Sequence, residues 1–166
     1  MKTTRWIMIF EKANAEDIES LTALRTEYLL EDYGEIPEDT LSAIADRLPS
    51  YFHNHLNRDV FVFVCRDADR IAGCCFLCVS EKPSNPAFIS GKTGTVLNVY
   101  TKPAYRKRGI AGELIKMLLA EAARMKLDYV ELKATDAGYP LYKSLGFEDA
   151  ASKYHPMKYV LDGHKG

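Results

Sequence analysis

The sequence predicts an α/β fold in which helices flank a central mixed sheet whose strands are mostly antiparallel. Runs rich in β-branched and aromatic residues are interleaved with longer segments in which apolar residues recur every three or four positions. Two of the β-rich runs are joined by a short polar connection, which favours an antiparallel hairpin. An amphipathic segment between two later runs predicts a right-handed, largely parallel β-α-β crossover. The predicted element order is β-α-α-β-β-β-α-β-α-β, with helices on both faces of the sheet.

Length and composition favour a single domain over residues 1–166. A chain of 166 residues that is 47% hydrophobic can form one core. The chain has 22 basic and 23 acidic residues, and its net charge is -1. No overall electric field therefore attracts nucleic acid or an anionic membrane, so any anion site must be local. The apolar run at residues 6–10 is too short for a signal peptide or a membrane span, so we expect a cytoplasmic protein without a membrane partner.

The N-terminal part predicts a strand followed by two helices. Residues 6–10 form the predicted strand, and Asn14 followed by Asp17 is typical of a helix N-terminus with an acidic residue at its third position. Apolar residues then recur at helical spacing. Pro37 stands where a second helix can begin. Pro49 should disturb the end of that second helix.

The later elements complete the predicted sheet. Residues 60–65 and 71–79 form the hairpin strands around a polar connection at 66–70, and an exposed loop at 81–93 precedes a strand at 95–101. Pro103 ends that strand, and a long amphipathic helix opens near Gly109. We expect a strand at 129–134, a short helix at 138–145 ended by Gly146, and a last strand at 154–161.

Four cysteines lie close together in the sequence and raise the question of a metal or redox site. Cys75 and Cys78 have a C-x-x-C spacing, but no second such pair follows and no histidine is nearby. The run around them is apolar on both alternating faces, as in a strand that is covered on both sides. We therefore interpret Cys65, Cys74, Cys75 and Cys78 as small buried hydrophobic residues and predict no metal site.

The segment between strand 95–101 and the following helix predicts an anion site. The first turn of a helix presents unpaired N–H groups and the positive end of the helix dipole, and Gly109 and Ala111 leave room for a phosphate to approach them. Arg106, Lys107 and Arg108 add positive charge immediately before this turn. Cations are disfavoured at this end of a helix unless an anion is bound, so their placement supports the same interpretation.

These residues resemble the GNAT superfamily of acyl-CoA-dependent N-acyltransferases. Arg106, Gly109 and Ala111 match the family signature R/Q-x-x-G-x-G/A between a strand and a helix. Downstream, residues 139–147 look like the family's closing motif L-Y-x-x-x-G-F, in the expected order. The resemblance is close over about residues 95–150.

The resemblance implies acetyl-CoA as the acyl donor and a set of residues that hold it. The pantetheine arm would pair with the backbone of the fourth strand like an added strand, at Leu97, Asn98, Val99 and Tyr100. The pyrophosphate would lie on the amides of residues 108–112 beside the basic side chains, in a segment made of Arg106, Lys107, Arg108, Gly109, Ile110, Ala111 and Gly112. Thr135 occupies a position where many members have an asparagine that holds the pantetheine.

The resemblance also implies the reaction, an N-acetyl transfer to a primary amine in a ternary complex, with Tyr142 protonating the departing thiolate. The acceptor would be a small-molecule amine, an amino acid or a peptide, and homodimers are common among relatives. No residue is marked as the general base, although Glu27, Glu31 and Asp32 at the end of the first helix are candidates.

Three other functions are compatible with parts of the sequence. Residues 90–93 imitate the end of a phosphate-binding P-loop, but Pro86 stands where that motif needs its first glycine, and the segment leads into a strand. A nucleic-acid-binding module could use the basic cluster, but the net charge of -1 disfavours it. A CoA-binding sensor without catalysis is the third, and the presence of Tyr142 favours an enzyme over it.

Overall fold

The computed structural model describes residues 7–161 of the chain. These residues fall into two compact units, one that extends to Lys133 and one that begins at Ala134. The single domain predicted for residues 1–166 stays a prediction. In the first unit the elements are β1 (Met8–Lys12), α1 (Ile18–Tyr33), α2 (Glu38–His55), β2 (Val60–Asp67), β3 (Arg70–Glu81), β4 (Lys92–Thr101), α3 (Ile110–Arg124) and β5 (Val130–Glu131). The second unit contains α4 (Tyr139–Ser144).

Within residues 7–161, five strands form one sheet in the order β1-β2-β3-β4-β5. The first four strands pair antiparallel. β4 and β5 pair in parallel through two residue pairs, Gly94 with Val130 and Thr95 with Glu131. The predicted mixed, mostly antiparallel sheet is therefore confirmed. β5 is shorter than predicted, so the β5-facing edge of β4 beyond Thr95 has no strand partner in the described part of the chain.

The two faces of the sheet are covered by different helices. One face packs against α1 and α2 in a cluster that includes Leu21, Leu24, Phe52, Val60, Val62, Val64, Cys74 and Phe76. The alternate side chains of β2 and β3 point to the other face, against which α3 packs. The α3 side chains buried there are Ile110, Leu114, Ile115, Leu118 and Ala122. Helices on both faces agree with the prediction.

β4 contains a bulge beside the open part of its edge. Cys74 and Phe76 of β3, two residues apart, pair with Tyr100 and Leu97 of β4, which are three residues apart. The stretch of β4 between Leu97 and Tyr100 therefore contains one extra residue. It includes Asn98, whose φ of 52° lies in the left-handed region. A bulge bends a strand locally, so the backbone of β4 changes direction near Asn98.

Two local predictions at the start of the chain are confirmed. Asn14 and Asp17 form a capping box at a 3₁₀ turn that leads into α1. The side chain of each residue accepts a hydrogen bond from the backbone N–H of the other. α2 begins directly after Pro37, as predicted. The strand predicted at residues 6–10 is found at Met8–Lys12, and Trp6 lies outside the described residues.

Two other predictions are wrong. α2 continues through Pro49 to His55, because the extension buries Phe52 completely and stacks it edge-on against Phe76 at 5.7 Å. Packing outweighs the backbone hydrogen bond that proline removes. The strand predicted at 154–161 does not form. Pro156 interrupts the segment by removing a strand donor, and Met157 and Tyr159 are 94% and 84% exposed.

The predicted hairpin is tighter than the sequence indicated. β2 and β3 extend to Asp67 and Arg70, which pair with each other, so the turn consists of Ala68 and Asp69. Ala68 adopts a positive φ of 51° there.

No helix in the described part of the chain is long and apolar enough to cross a membrane.

The cysteines are buried as predicted. Cys65, Cys74 and Cys75 are fully buried free thiols on β2 and β3, and Cys78 is partly buried. Burial raises the pKa of Cys74 to about 12, so this thiol stays protonated at neutral pH. Among residues 7–161, no group of three histidine, cysteine or carboxylate side chains is arranged to hold a metal ion.

Candidate functional site

The N-terminus of α3 has the backbone geometry that an anion requires. Gly109 caps the helix in the left-handed conformation, with φ of 76°, and apart from Gly109 and its chain neighbours no described atom lies within 4 Å of the point where a Cβ would stand. No side chain in the described residues caps this turn. The N–H groups of Ile110, Ala111 and Gly112 therefore lack the partners that a helix interior provides, and they are open to an anionic ligand.

Close packing holds this turn against the sheet. Ile110 is buried, and its Cγ2 would be 3.1 Å from a Cβ placed on Gly73 of β3. The same Cβ would lie 3.0 Å from the carbonyl oxygen of Tyr100. Gly73 is therefore needed for β4 and α3 to approach β3 this closely. As a result, the open edge of β4 and the first turn of α3 belong to one rigid packing arrangement.

The basic residues before the turn are engaged with protein groups. Nη2 of Arg106 lies 2.6 Å from Oε2 of Glu31, and its Nε donates to the carbonyl oxygen of Thr101 at 2.9 Å. Nη2 of Arg108 donates to the carbonyl oxygen of Ala104 at 3.2 Å. Lys107 is exposed and has a positive φ of 62°. The sequence predicted the cluster but not the partners of Arg106 and Arg108.

The predicted pantetheine segment of β4 presents its backbone at the open edge. Leu97 is 44% exposed, whereas Asn98 and Tyr100 are buried and Val99 is partly buried. Asn98 Nδ2 lies 3.4 Å from Cys74 Sγ on β3. The side chain of Asn98 is thus held in the core. The backbone edge of β4 beyond Thr95 has no strand partner in the described residues and is open to a ligand.

Acidic residues of α1 lie beside the end of β4. Oε1 of Glu27 is 3.7 Å from Nζ of Lys102. Burial and then the charges of Glu27 and Glu31 raise the pKa of Tyr100. Two of the three predicted base candidates are therefore close to the predicted donor segment. Asp32 is not linked to β4; it adds to the effect of burial in raising the pKa of Tyr28.

One residue of this region, Arg25, was missed by the sequence analysis. Its Nη1 donates to Oδ1 of Asn98 at 3.2 Å, and its guanidinium lies 5.5 Å from the centre of the Tyr28 ring. Helical periodicity assigns Arg25 to the buried stripe of α1, but no local pattern distinguishes it from a solvated cation. Its position depends on the packing of α1 against the bulge of β4.

The second unit contains the predicted Tyr142 and Thr135. The ring of Tyr142 on α4 packs edge-on against Phe147, with centroids 5.7 Å apart. Gly138 separates the two predicted residues: its N–H donates to Oγ1 of Thr135 at 3.2 Å, and a Cβ placed on it would be 3.0 Å from Cε2 of Tyr142. Thr135 and Tyr142 are thus close neighbours. Their roles stay predictions.

Comparison with known protein families identifies the chain. A model of the acetyltransferase (GNAT) domain matches residues 58–149, which include β4, the first turn of α3 and α4. The chain belongs to the GNAT acetyltransferase family. The predicted family and enzyme class are therefore confirmed. No curated protein sequence gives a significant match.

Solved structures of GNAT proteins share this fold over most of their length. A predicted acetyltransferase from Clostridium acetobutylicum, solved with acetyl-CoA, is 27% identical, with a TM-score of 0.79 over 92% of this chain and 96% of that one. A GCN5-related N-acetyltransferase from Ralstonia eutropha is 25% identical, with a TM-score of 0.74 over 91% and 99% of the two chains. The aminoglycoside N-acetyltransferase AAC(6')-Iy, solved with CoA, is 15% identical and matches in fold, with a TM-score of 0.68 over 96% and 100%.

Proposed function

We propose that this GNAT protein transfers the acetyl group of acetyl-CoA to the primary amine of a small-molecule or peptide acceptor within a ternary complex. The observation that carries the proposal is the first turn of α3 after Gly109, which no side chain of the described residues caps and which follows the open, bulged edge of β4 along the chain. A strand edge and a helix N-terminus in this order fit a ligand that has an amide-containing arm and a pyrophosphate.

The chain's own groups would bind the donor at two places. Backbone groups of Leu97 to Tyr100 would pair with the pantetheine arm, and the amides of residues 108–112 would bind the pyrophosphate. Thr135 is proposed as a further residue that holds the pantetheine. Lys107, which is exposed, is the basic side chain best placed to add a charge-assisted contact. Arg106 would contribute in the same way after exchanging Glu31 for a phosphate oxygen.

The proposed chemistry moves two protons. The acceptor nitrogen must be neutral before it attacks the thioester carbonyl, and Glu27, a partly buried carboxylate beside Tyr100, is the favoured proton acceptor, directly or through water. The N–C bond forms as the C–S bond breaks, and the thiolate takes a proton from the phenol of Tyr142. The nitrogen then loses its second proton through water, and that proton restores the phenol of Tyr142. A phenol with an ordinary pKa of about 10 is protonated at neutral pH and can supply that proton.

We test the donor site by calorimetric titration with acetyl-CoA of the wild type and of a Gly109→Glu/Ala111→Glu variant. We expect the variant to lose at least about 100-fold in affinity, because two carboxylates would stand where the pyrophosphate binds and Gly109 has a positive φ. The matched control is Ala120→Glu/Ala123→Glu, which adds the same charge at exposed positions of the same helix. A folded wild type that does not bind acetyl-CoA would refute the proposal.

The remaining proposals concern partners and location. We place the protein in the cytoplasm, because four free thiols are typical of a reducing compartment. We propose no nucleic-acid partner, since Glu31 neutralises Arg106 and the net charge is -1. We propose a homodimer, supported by the exposed apolar side chains of the C-terminal segment, where Tyr154, Met157, Tyr159 and Leu161 are all at least two-thirds exposed.

A further inference from the structure

Arg25 is a partly buried cation that has no carboxylate partner in the described part of the chain. Arg66, which is also partly buried, has two, because it pairs with Glu11 and Asp17. Within residues 7–161, the other arginines that lack a carboxylate partner, namely Arg47, Arg58, Arg70 and Arg108, are all exposed. Arg25 alone among these combines partial burial with an uncompensated charge.

The known contacts of Arg25 leave much of its hydrogen-bonding capacity available. It donates one hydrogen bond from Nη1 to the neutral amide oxygen of Asn98 and lies over the ring of Tyr28. A guanidinium has five N–H donors in a planar fork that matches the two oxygens of a carboxylate. Partly burying such a group without an anion is unfavourable. The arrangement is that of a binding group whose anionic partner comes from a ligand.

The surroundings place this charge between α1, α2 and the middle of the sheet. Burial and then Cys78 raise the pKa of Tyr51 on α2 to about 12, and the positive charge of Arg25 opposes the increase. The same charge opposes the effect of burial on the pKa of Cys74 and of Cys78 on β3. Arg25 therefore lies within electrostatic reach of α2 and β3, next to the bulge of β4.

Two of the neighbouring acidic residues have basic partners. Glu27 lies near Lys102, and Glu31 is paired with Arg106. Arg25 therefore contributes a local positive charge beside the strand segment that we propose for the pantetheine arm. An acceptor that reaches this segment meets the guanidinium of Arg25 and the carboxylate of Glu27, whose charges both act on Cys74 of β3. This charge pattern suits a molecule that carries both an anion and an amine.

We propose that Arg25 binds the carboxylate of the acceptor, so that the substrates are amino acids or closely similar primary amines that carry a carboxylate. The inference rests on the proposed function and names its substrate class. Asn98 orients the guanidinium from β4, and Tyr28 covers one side of it. Polycationic acceptors such as polyamines are disfavoured, because Arg25 would repel them at the bulge.

The test compares matched acceptors. Purified protein and acetyl-CoA are incubated with the common amino acids, with their α-carboxamides, or with spermidine, and thiol release gives kcat/KM. We expect the wild type to prefer the acids over the amides by at least about 10-fold. Arg25→Gln should lose about 10- to 100-fold on the acids and little on the amides. Arg25→Lys should restore part of the loss, and Arg47→Gln, an exposed control, should match the wild type.

Binding of acetyl-CoA separates the two proposals and reports on folding. Arg25→Gln should bind acetyl-CoA within about twofold of the wild type, because the donor is proposed to pair with the backbone of β4, which Arg25 contacts only through the side chain of Asn98. Equal turnover of acids and amides, an unchanged ratio in Arg25→Gln, turnover of spermidine alone, or no turnover of any amino acid by a protein that binds acetyl-CoA would each overturn the carboxylate inference. Failure of the wild type to bind acetyl-CoA would instead overturn the proposed function.

Discussion

At the residue scale, the side chain with the most specific proposed chemistry is Tyr142. Replacing it with phenylalanine keeps the ring that packs against Phe147 but removes the hydroxyl. We expect Tyr142→Phe to lower kcat by about 10²- to 10⁴-fold with little change in acetyl-CoA affinity, because general acid catalysis contributes about that factor. Single-turnover measurement of thiol release checks this.

The control for this prediction lies on the same helix. The hydroxyl of Tyr139 donates a hydrogen bond to Oδ2 of Asp149 at 2.9 Å, and Tyr139 is 43% exposed. Tyr139→Phe removes a hydroxyl from a neighbouring tyrosine without touching the proposed proton donor, so its turnover should stay close to that of the wild type. If Tyr142→Phe keeps wild-type turnover with a verified acceptor, Tyr142 is not the acid.

Residues were predictable from the sequence where a local backbone requirement marks them. Gly109 at the cap of α3 is such a case, because a positive φ at a helix N-terminus restricts the choice of residue. The pairing of Arg106 with Glu31 could not be predicted, since the two residues are 75 positions apart. The environment of Arg25 likewise depends on how α1 packs on the bulge of β4.

At the element scale, Glu121 connects α3 to the edge of the sheet. Arg124 and Lys12 hold its carboxylate at 2.6 Å and 2.7 Å. The hydrogen bond from Arg124, opposed by burial and assisted by Lys12, lowers the pKa of Glu121 to about 2. Because the unfolded value is about 4.3, the carboxylate stabilises the fold above that pH, and this contribution is lost as the pH falls towards 2.

Glu121→Gln should therefore lower the free energy of unfolding at pH 7 by about 1 kcal/mol, a modest value because Lys12 and Arg124 are 40% and 68% exposed. The difference from the wild type should shrink as the pH drops from about 5 to 2. Urea unfolding at several pH values measures it. Glu113→Gln on the same helix, whose pair with Lys116 is exposed, should change little at any pH. A difference that does not vary with pH would contradict the assignment.

Elements were predictable where periodicity and end signals agree, and less so where tertiary packing decides. The capping box before α1 and the amphipathic α3 follow from local sequence. The continuation of α2 through Pro49 depends on the burial of Phe52, which no local pattern reveals. In the segment 154–161, β-rich composition predicted a strand, yet strand formation needs a partner edge as well as propensity.

At the scale of the whole molecule, the exposed C-terminal segment gives the proposed homodimer a direct test. Met157 and Tyr159 expose 94% and 84% of their surface, so they contribute little to the folding of a single chain. Apolar side chains at such exposure are typical of an interaction surface. We expect light scattering to give twice the monomer mass for the wild type. Met157→Glu/Tyr159→Glu should give the monomer mass, with an unchanged circular dichroism spectrum.

The matched control is Ile89→Glu, which places a charge on a side chain that is 77% exposed in the loop before β4. It should leave the dimer intact, because the proposed interface involves the C-terminal segment and not exposed apolar residues in general. Acetyl-CoA affinity should be equal in all three proteins if the donor site lies within one chain, on β4 and α3. A monomeric wild type, or a dimer that survives Met157→Glu/Tyr159→Glu, would exclude this segment as the contact between two copies of the chain.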